Sequence, residues 1–443
     1  MFGETNTELP FGIVMILLFA GIGCYLIRFT QNHRQTLQWQ TRLFLIAIGV
    51  RFLFSIITYE FGLVKVLGDE DGSGWQMGIF YSNQWTRKGL SILDLPVALS
   101  DAFFEHHRGY GYLTGALFFV TGFPGRMPAA AINCFSGAVT AIVAYRVARS
   151  LFSNWSAVRV GWAVCFFPSM IIWSCQTVKE PVVIMLEMVA LYACVQLKLT
   201  GFSIRYAVLC ASAIFLLLPF RFYAAYLAAG AAMIALVIPQ IGKRVKFSVH
   251  SGLLVVALVV PLALSSGILA RSQADIEAFD IERMQKFRGD IANGSGSGVQ
   301  DNFDIRTRGG LIVGTAVGAA HLLLAPFPWQ LGGASMRMLG TLPEVVVWWW
   351  LVAAGLIPGL WYAIKNRFGE MQPYLFFMLG LGLLYSMMFG NVGLIVRQRA
   401  QLLPMLLVFA MVGLEQREIK KLLKRRPRAG APVMAQPRQA RAS

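Results

Sequence analysis

Beyond a long apolar segment the chain reads Gly68-Asp69-Glu70-Asp71-Gly72-Ser73-Gly74-Trp75. Three adjacent carboxylates among glycines, followed by Trp75, Phe80, Tyr81 and Trp85, suit a general base beside an amphipathic substrate, because a carboxylate can accept the proton of an attacking hydroxyl. The same stretch also fits a solvated acidic turn. A second group stands at Lys179-Glu180-Pro181, where Pro181 suits the first turn of a helix and Glu180, as a cap residue, the positive end of its dipole. Arg221 lies in the tight turn Pro219-Phe220-Arg221-Phe222-Tyr223, and Arg397 and Arg399 stand ahead of the last apolar run.

The elements that must position these groups are membrane helices. In 443 residues, 56% are hydrophobic, 14% are charged and the mean hydropathy is +0.60. Apolar runs long enough to cross a hydrocarbon core of about 30 Å recur from residue 11 to residue 415. A water-soluble enzyme, a disordered scaffold and a small disulfide module are excluded. So is an outer-membrane barrel, which is written in alternating segments of about ten residues. The expected fold is an all-α, polytopic transmembrane bundle of eleven spans: 11–27, 43–66, 128–147, 157–174, 181–197, 203–219, 222–239, 248–269, 343–363, 372–390 and 400–415. The shorter apolar stretches 110–123 and 311–327 read as interfacial or re-entrant helices on the outer face.

Basic clusters set the orientation. Arg28, Arg34 and Arg42, then Arg146/Arg149/Arg159, Lys198/Arg205, Lys243/Arg244/Lys246 and Lys365/Arg367 fall at the ends expected in the cytoplasm. The N-terminus and two large insertions, 67–127 and 270–342, are then outside. Lys179, Arg221, Arg397 and Arg399 also fall outside, against the positive-inside bias, which suggests a role beyond snorkelling to lipid phosphate. Residues 1–416 form the membrane domain. Segment 417–443 carries nine Lys or Arg and a single acid, Glu418, within a net charge of +17. It reads as a disordered cytoplasmic tail beside anionic lipid rather than a nucleic-acid binder. Six cysteines without CxxC spacing read as packing residues, and His106, His107 and His321 lack any metal-ligand spacing.

The run from Pro128-Ala129-Ala130-Ala131-Ile132-Asn133 to Arg149-Ser150-Leu151-Phe152, with Phe167-Pro168-Ser169, Trp173-Ser174 and Lys179-Glu180-Pro181, resembles family 39 glycosyltransferases of the GT-C superfamily. These include the protein O-mannosyltransferases and the aminoarabinose transferase of lipid A. The resemblance covers residues 65–240, and more loosely Pro326-Phe327-Pro328-Trp329 and Arg397-Gln398-Arg399. It implies an inverting transfer from a polyprenyl-phosphate-linked sugar to a glycan, lipid or protein hydroxyl, on the outer face of a bacterial inner membrane. It also implies a base in the first outer loop. The family writes that acid with Tyr three residues on, whereas here Asp69-Glu70 precedes Asp71-Gly72-Ser73 and the first aromatic is Trp75. Asp71 is therefore the first choice, then Asp69, with Glu70 beside them. Glu180 becomes a second acid orienting acceptor or cation. Trp75, Lys179, Arg221, Arg397 and Arg399 become substrate-binding, the cations gripping the departing phosphate. The resemblance names the polyprenyl-phosphate-linked sugar as donor substrate, fixes no cofactor, and is compatible with a divalent metal.

Two other readings fit a polytopic chain with outer-face arginines. One is an envelope-polysaccharide polymerase or ligase, in which Arg283 precedes Gly294. The other is a lipid-linked-sugar transporter, which ordinarily shows repeated halves and midplane ionisable residues. The topology is open to direct test. Cysteines placed at Ser73 and Ser297 should react with an impermeant thiol reagent from outside, and one at Ser443 only from the cytoplasm; labelling of Ser73 from the cytoplasm would invert the assignment.

Overall fold

The computed structural model describes residues 8–64 except 32, 73–238 except 104 and 106, 280–293, 298, 303–333 and 342–425. Asp69, Glu70, Asp71, His106 and the expected span 248–269 lie outside the described residues. Regular structure among them is helical: α1 (Glu8–Thr30), α2 (Arg34–Glu60), α3 (Ser73–Arg87), α4 (Leu95–Ser100), α5 (Gly109–Thr121), α6 (Arg126–Leu151), α7 (Asn154–Phe166) and α8 (Pro168–Ser174). After these come α9 (Glu180–Thr200), α10 (Ile204–Leu217), α11 (Phe222–Val237), α12 (Ile281–Asn293), α13 (Arg308–Leu324), α14 (Leu342–Leu351), α15 (Ile357–Met387) and α16 (Val392–Arg425).

Several long apolar helices mark a multi-pass membrane protein. Six are long and apolar enough to cross a bilayer, and seven if the bent pair α7–α8 is one span. Of the other expected crossings, α10 and α11 are shorter apolar helices of 14 and 16 residues. The expected spans 343–363 and 372–390 share one apolar stretch, α14–α15. It passes α16 twice: Gly359 packs on Phe409, whereas Tyr385 reaches Gln401, and the break between the two passes falls at Arg367 (φ −136°, ψ 16°). The last helix continues to Arg425, so the basic segment begins as helix rather than as coil.

Helices α6, α9 and α16 form the buried centre, while α1 and α2 lie outside it and turn Leu17, Leu18, Phe29 and Leu53 outward. Near the middle of α16, backbone meets backbone. A Cβ built on Gly359 would sit 1.8 Å from the Phe409 carbonyl oxygen, and one on Gly413 would sit 1.9 Å from that of Gly355, so no side chain fits between the two helices there. The contact lies where α14 passes into α15 through a π-helical turn, Val352–Leu356.

The bend of 51° between α7 and α8 has a local cause. Pro168 has no N–H, so the Val164 carbonyl loses its helical donor, and the Ser169 N–H is drawn 2.6 Å to Glu344 Oε2, which strips the Cys165 carbonyl of its own. Arg51, deep in α2, supplies both. Its Nη2 donates to Val164 O at 2.9 Å, and its Nη1 donates to Cys165 O at 3.1 Å and to Ala47 O at 3.0 Å. A buried arginine is thus matched by carbonyl dipoles instead of by an acid. Arg51→Met should leave two buried carbonyls without donors, at about 1–3 kcal/mol each, and lower the thermal midpoint in detergent clearly. Arg51→Lys should recover part of the loss, and an unchanged midpoint in Arg51→Met would show that the carbonyls find other donors.

Candidate functional site

Glu180 opens α9, Arg221 is the residue before α11, and Arg397 lies in the second turn of α16, so one carboxylate gathers side chains from near the N-termini of three helices. Pro181 occupies the first turn of α9, as its sequence suggests, and Lys179 is the residue before the helix. The Glu180 side chain is 1% exposed and does not cap its own helix; its carboxylate bridges two arginines. Oε1 accepts from Arg221 Nη2 at 3.0 Å and from Arg397 Nε at 3.0 Å, and Oε2 accepts from Arg397 Nη2 at 2.9 Å. Both carboxylate oxygens are thus engaged by guanidinium groups, Oε1 twice and Oε2 once.

Arg221 is enclosed. Its Nη1 donates to the Tyr223 hydroxyl and, at 3.1 Å, to the Tyr385 hydroxyl. Gln401 adds a fourth acceptor: with its amide oxygen toward the guanidinium, 2.9 Å from Nη2, its nitrogen donates to Tyr385 Oη at 2.5 Å, whereas the reverse orientation would set donor against donor. Glu187, two turns below Glu180 on α9, is fully buried and feels the Arg221 charge. Arg397 is more open, at 37% exposure, and lies over the Trp173 ring with 5.4 Å to its centroid. Lys179 is half-buried. Burial, reinforced by Arg221 and Arg397 and opposed by Glu180, pushes its ammonium down to about 8.

The structure therefore brings Lys179, Glu180, Arg221 and Arg397 together and takes Arg399 elsewhere. Arg399 is 1% exposed, donates to Ala325 O at 2.6 Å and faces Trp348 at 5.9 Å. It sits near Glu344, whose carboxylate holds both the N–H and the hydroxyl of Ser169. Phe167, Ser169, Ala325, Glu344, Trp348 and Arg399 thus meet as a packing node. Trp348 and Trp349 belong to it as well, donating to Leu323 O (2.6 Å) and Leu324 O (2.7 Å) at the end of α13, and only Trp350 of that triplet faces outward.

Trp75 lies apart from the arginines of the cluster, with Arg126 stacked 5.0 Å from its ring centroid. Its neighbour Gly74 packs against Thr177: a Cβ on Gly74 would collide with the Thr177 carbonyl oxygen and with Tyr110, and Thr177 stands two residues before Lys179. Beside it Glu105 accepts from Tyr81 (2.8 Å) and Tyr112 (3.2 Å), and His107 Nδ1 lies 3.1 Å from Phe220 O, next to Arg221. Among the described residues no group of three His, Cys, Asp or Glu side chains is placed to hold a metal ion.

Sequence reasoning missed Tyr385, Gln401 and Glu187. Gln401 was within reach: residues 397 and 401 share a helix face, whereas 397 and 399 point apart. Comparison of the chain with models of known protein families, with curated proteins and with solved structures returned no match. The two arginines should part company on mutation. Arg399→Ala should lower the melting temperature more than Arg397→Ala, because it empties a fully buried site, whereas Glu180 keeps Arg221 when Arg397 is removed. Equal losses would contradict that division.

Proposed function

We propose that this protein is an inverting, GT-C-like glycosyltransferase that moves a sugar from a polyprenyl-phosphate donor to an acceptor hydroxyl at the outer face of a cytoplasmic membrane. The observation that carries the reading is the gathering of Lys179, Arg221 and Arg397 around one buried carboxylate. Three cations against a single acid leave a site that favours an anion, and a departing lipid phosphate is such an anion. The resemblance of residues 65–240 to family 39 enzymes supports the same chemistry.

In this mechanism a carboxylate of Asp69-Glu70-Asp71 takes the proton of the acceptor hydroxyl as its oxygen bonds to the anomeric carbon. The bond from that carbon to the phosphate oxygen breaks on the opposite face, its electron pair leaves with the phosphate, and the anomeric configuration inverts. Glu180 holds Arg397 and Arg221 in place and acts as a positioning residue. The eleven-span topology, with the site outside, puts donor lipid and acceptor on one side.

General-base assistance contributes about 10²- to 10⁴-fold, so Asp71→Asn, or failing that Asp69→Asn, should reduce transfer by that order while lipid-linked donor still binds. Near-normal transfer by Asp69→Asn, Glu70→Gln and Asp71→Asn alike would remove the base from the acidic triplet and the mechanism with it.

A further inference from the structure

The three cations differ in what remains for a ligand. Arg221 presents its guanidinium to four acceptors of the protein, Glu180, Tyr223, Tyr385 and Gln401, and is buried. Arg397 spends Nε and Nη2 on Glu180, while its Nη1 has no hydrogen-bond partner among the described residues and its guanidinium is partly open above Trp173. Lys179 has no hydrogen-bond acceptor among the described residues either, although Arg221, Glu180 and Arg397 all act on its charge. From this geometry we infer that Lys179 and Arg397 are the two ligand-facing donors for the phosphate, that Arg221 is the scaffold that fixes them, and that loss of the Lys179 proton releases the anion.

The identity of the anion rests on the glycosyltransferase reading, but the division of labour rests on the hydrogen bonds alone. An arginine pinned through one edge by a carboxylate offers its remaining N–H groups in a fixed direction, and an adjacent ammonium adds three rotatable donors. The groups facing Lys179 are Glu180 on its own helix, Arg221 before α11 and Arg397 on α16. Tyr223 and Tyr385 lie around Arg221, Glu187 lies below it, and His107 stands behind Phe220. A lysine charged below about 8 loses its attraction for an anion as pH rises through that value, which gives the switch its sign.

The test measures binding of a polyprenyl monophosphate to the purified full-length protein between pH 7.5 and 9.5, with the corresponding polyprenol as control for the tail. The second ionisation of a phosphate monoester, near about 6, is complete across this window, so the ligand's charge is constant. The Kd of the wild type should rise about tenfold or more over the window, and the polyprenol should show no such rise. Lys179→Arg should bind with a flat profile, Lys179→Gln should bind weakly at all pH values, and Arg397→Gln should weaken binding but keep the slope. A flat wild-type profile, wild-type affinity in Lys179→Gln, or a persisting pH fall in Lys179→Arg would each overturn the assignment. The pH pattern in a protein that transfers no sugar would retain the anion site and remove the glycosyltransferase. Sugar transfer with binding indifferent to Lys179 would do the reverse.

Discussion

The carboxylate of Glu180 is the contact on which this end of the molecule depends. Taking one carboxylate and two guanidinium groups out of water is expensive, and the arrangement persists because every oxygen of the acid and most donors of the arginines are matched. Removing the acid would leave two cations facing each other beside Lys179, and breaking a buried pair of this kind ordinarily costs about 3–5 kcal/mol. The same bridge ties the start of α9 to the start of α11 and to the outer end of α16. Structure and electrostatics are one object here: the charge excess that would attract an anion is also the knot that holds three helices together.

A second polar node, a few residues away, does different work. Arg51, Ser169, Glu344 and Arg399 serve backbone groups orphaned by Pro168 and by the end of α13 at Ala325. Each of them ends on a carbonyl, an N–H or a packed ring. Arg51 Nε and Arg399 Nε are buried without a hydrogen-bond partner among the described residues, so this node too keeps unmatched donors. What sets the Glu180 cluster apart is the partial exposure of Arg397.

Much of the first layer was legible in the chain. Long apolar runs identify a multi-pass helical protein, Pro181 marks the start of α9, and cations on the side opposite the basic loops draw attention to Lys179, Arg221 and Arg397. What could not be read was partner choice across sequence separations of 41 and 217 residues, such as Glu180 with Arg221 and with Arg397. Arg399 parts from Arg397 for a local reason. Starting the last helix at 400 makes 397 and 399 equivalent neighbours in a loop, whereas a helix from Val392 sends them to opposite faces. A charge such as Arg51 within a span needs a partner inside the bundle; that its partners are carbonyls freed by a proline 117 positions downstream is visible only once the helices are packed.

The glycine contact near the middle of α16 limits how that helix can sit. Where Gly355 and Gly359 touch Gly413 and Phe409, the two helices can neither part without losing a close backbone fit nor approach further. Arg397 stands 16 residues before Gly413 on the same helix, about 24 Å along a straight axis, with Pro404 between them. The close fit therefore anchors the half of α16 beyond Pro404, and the proline sets that half apart from the turns that carry Arg397 to Glu180.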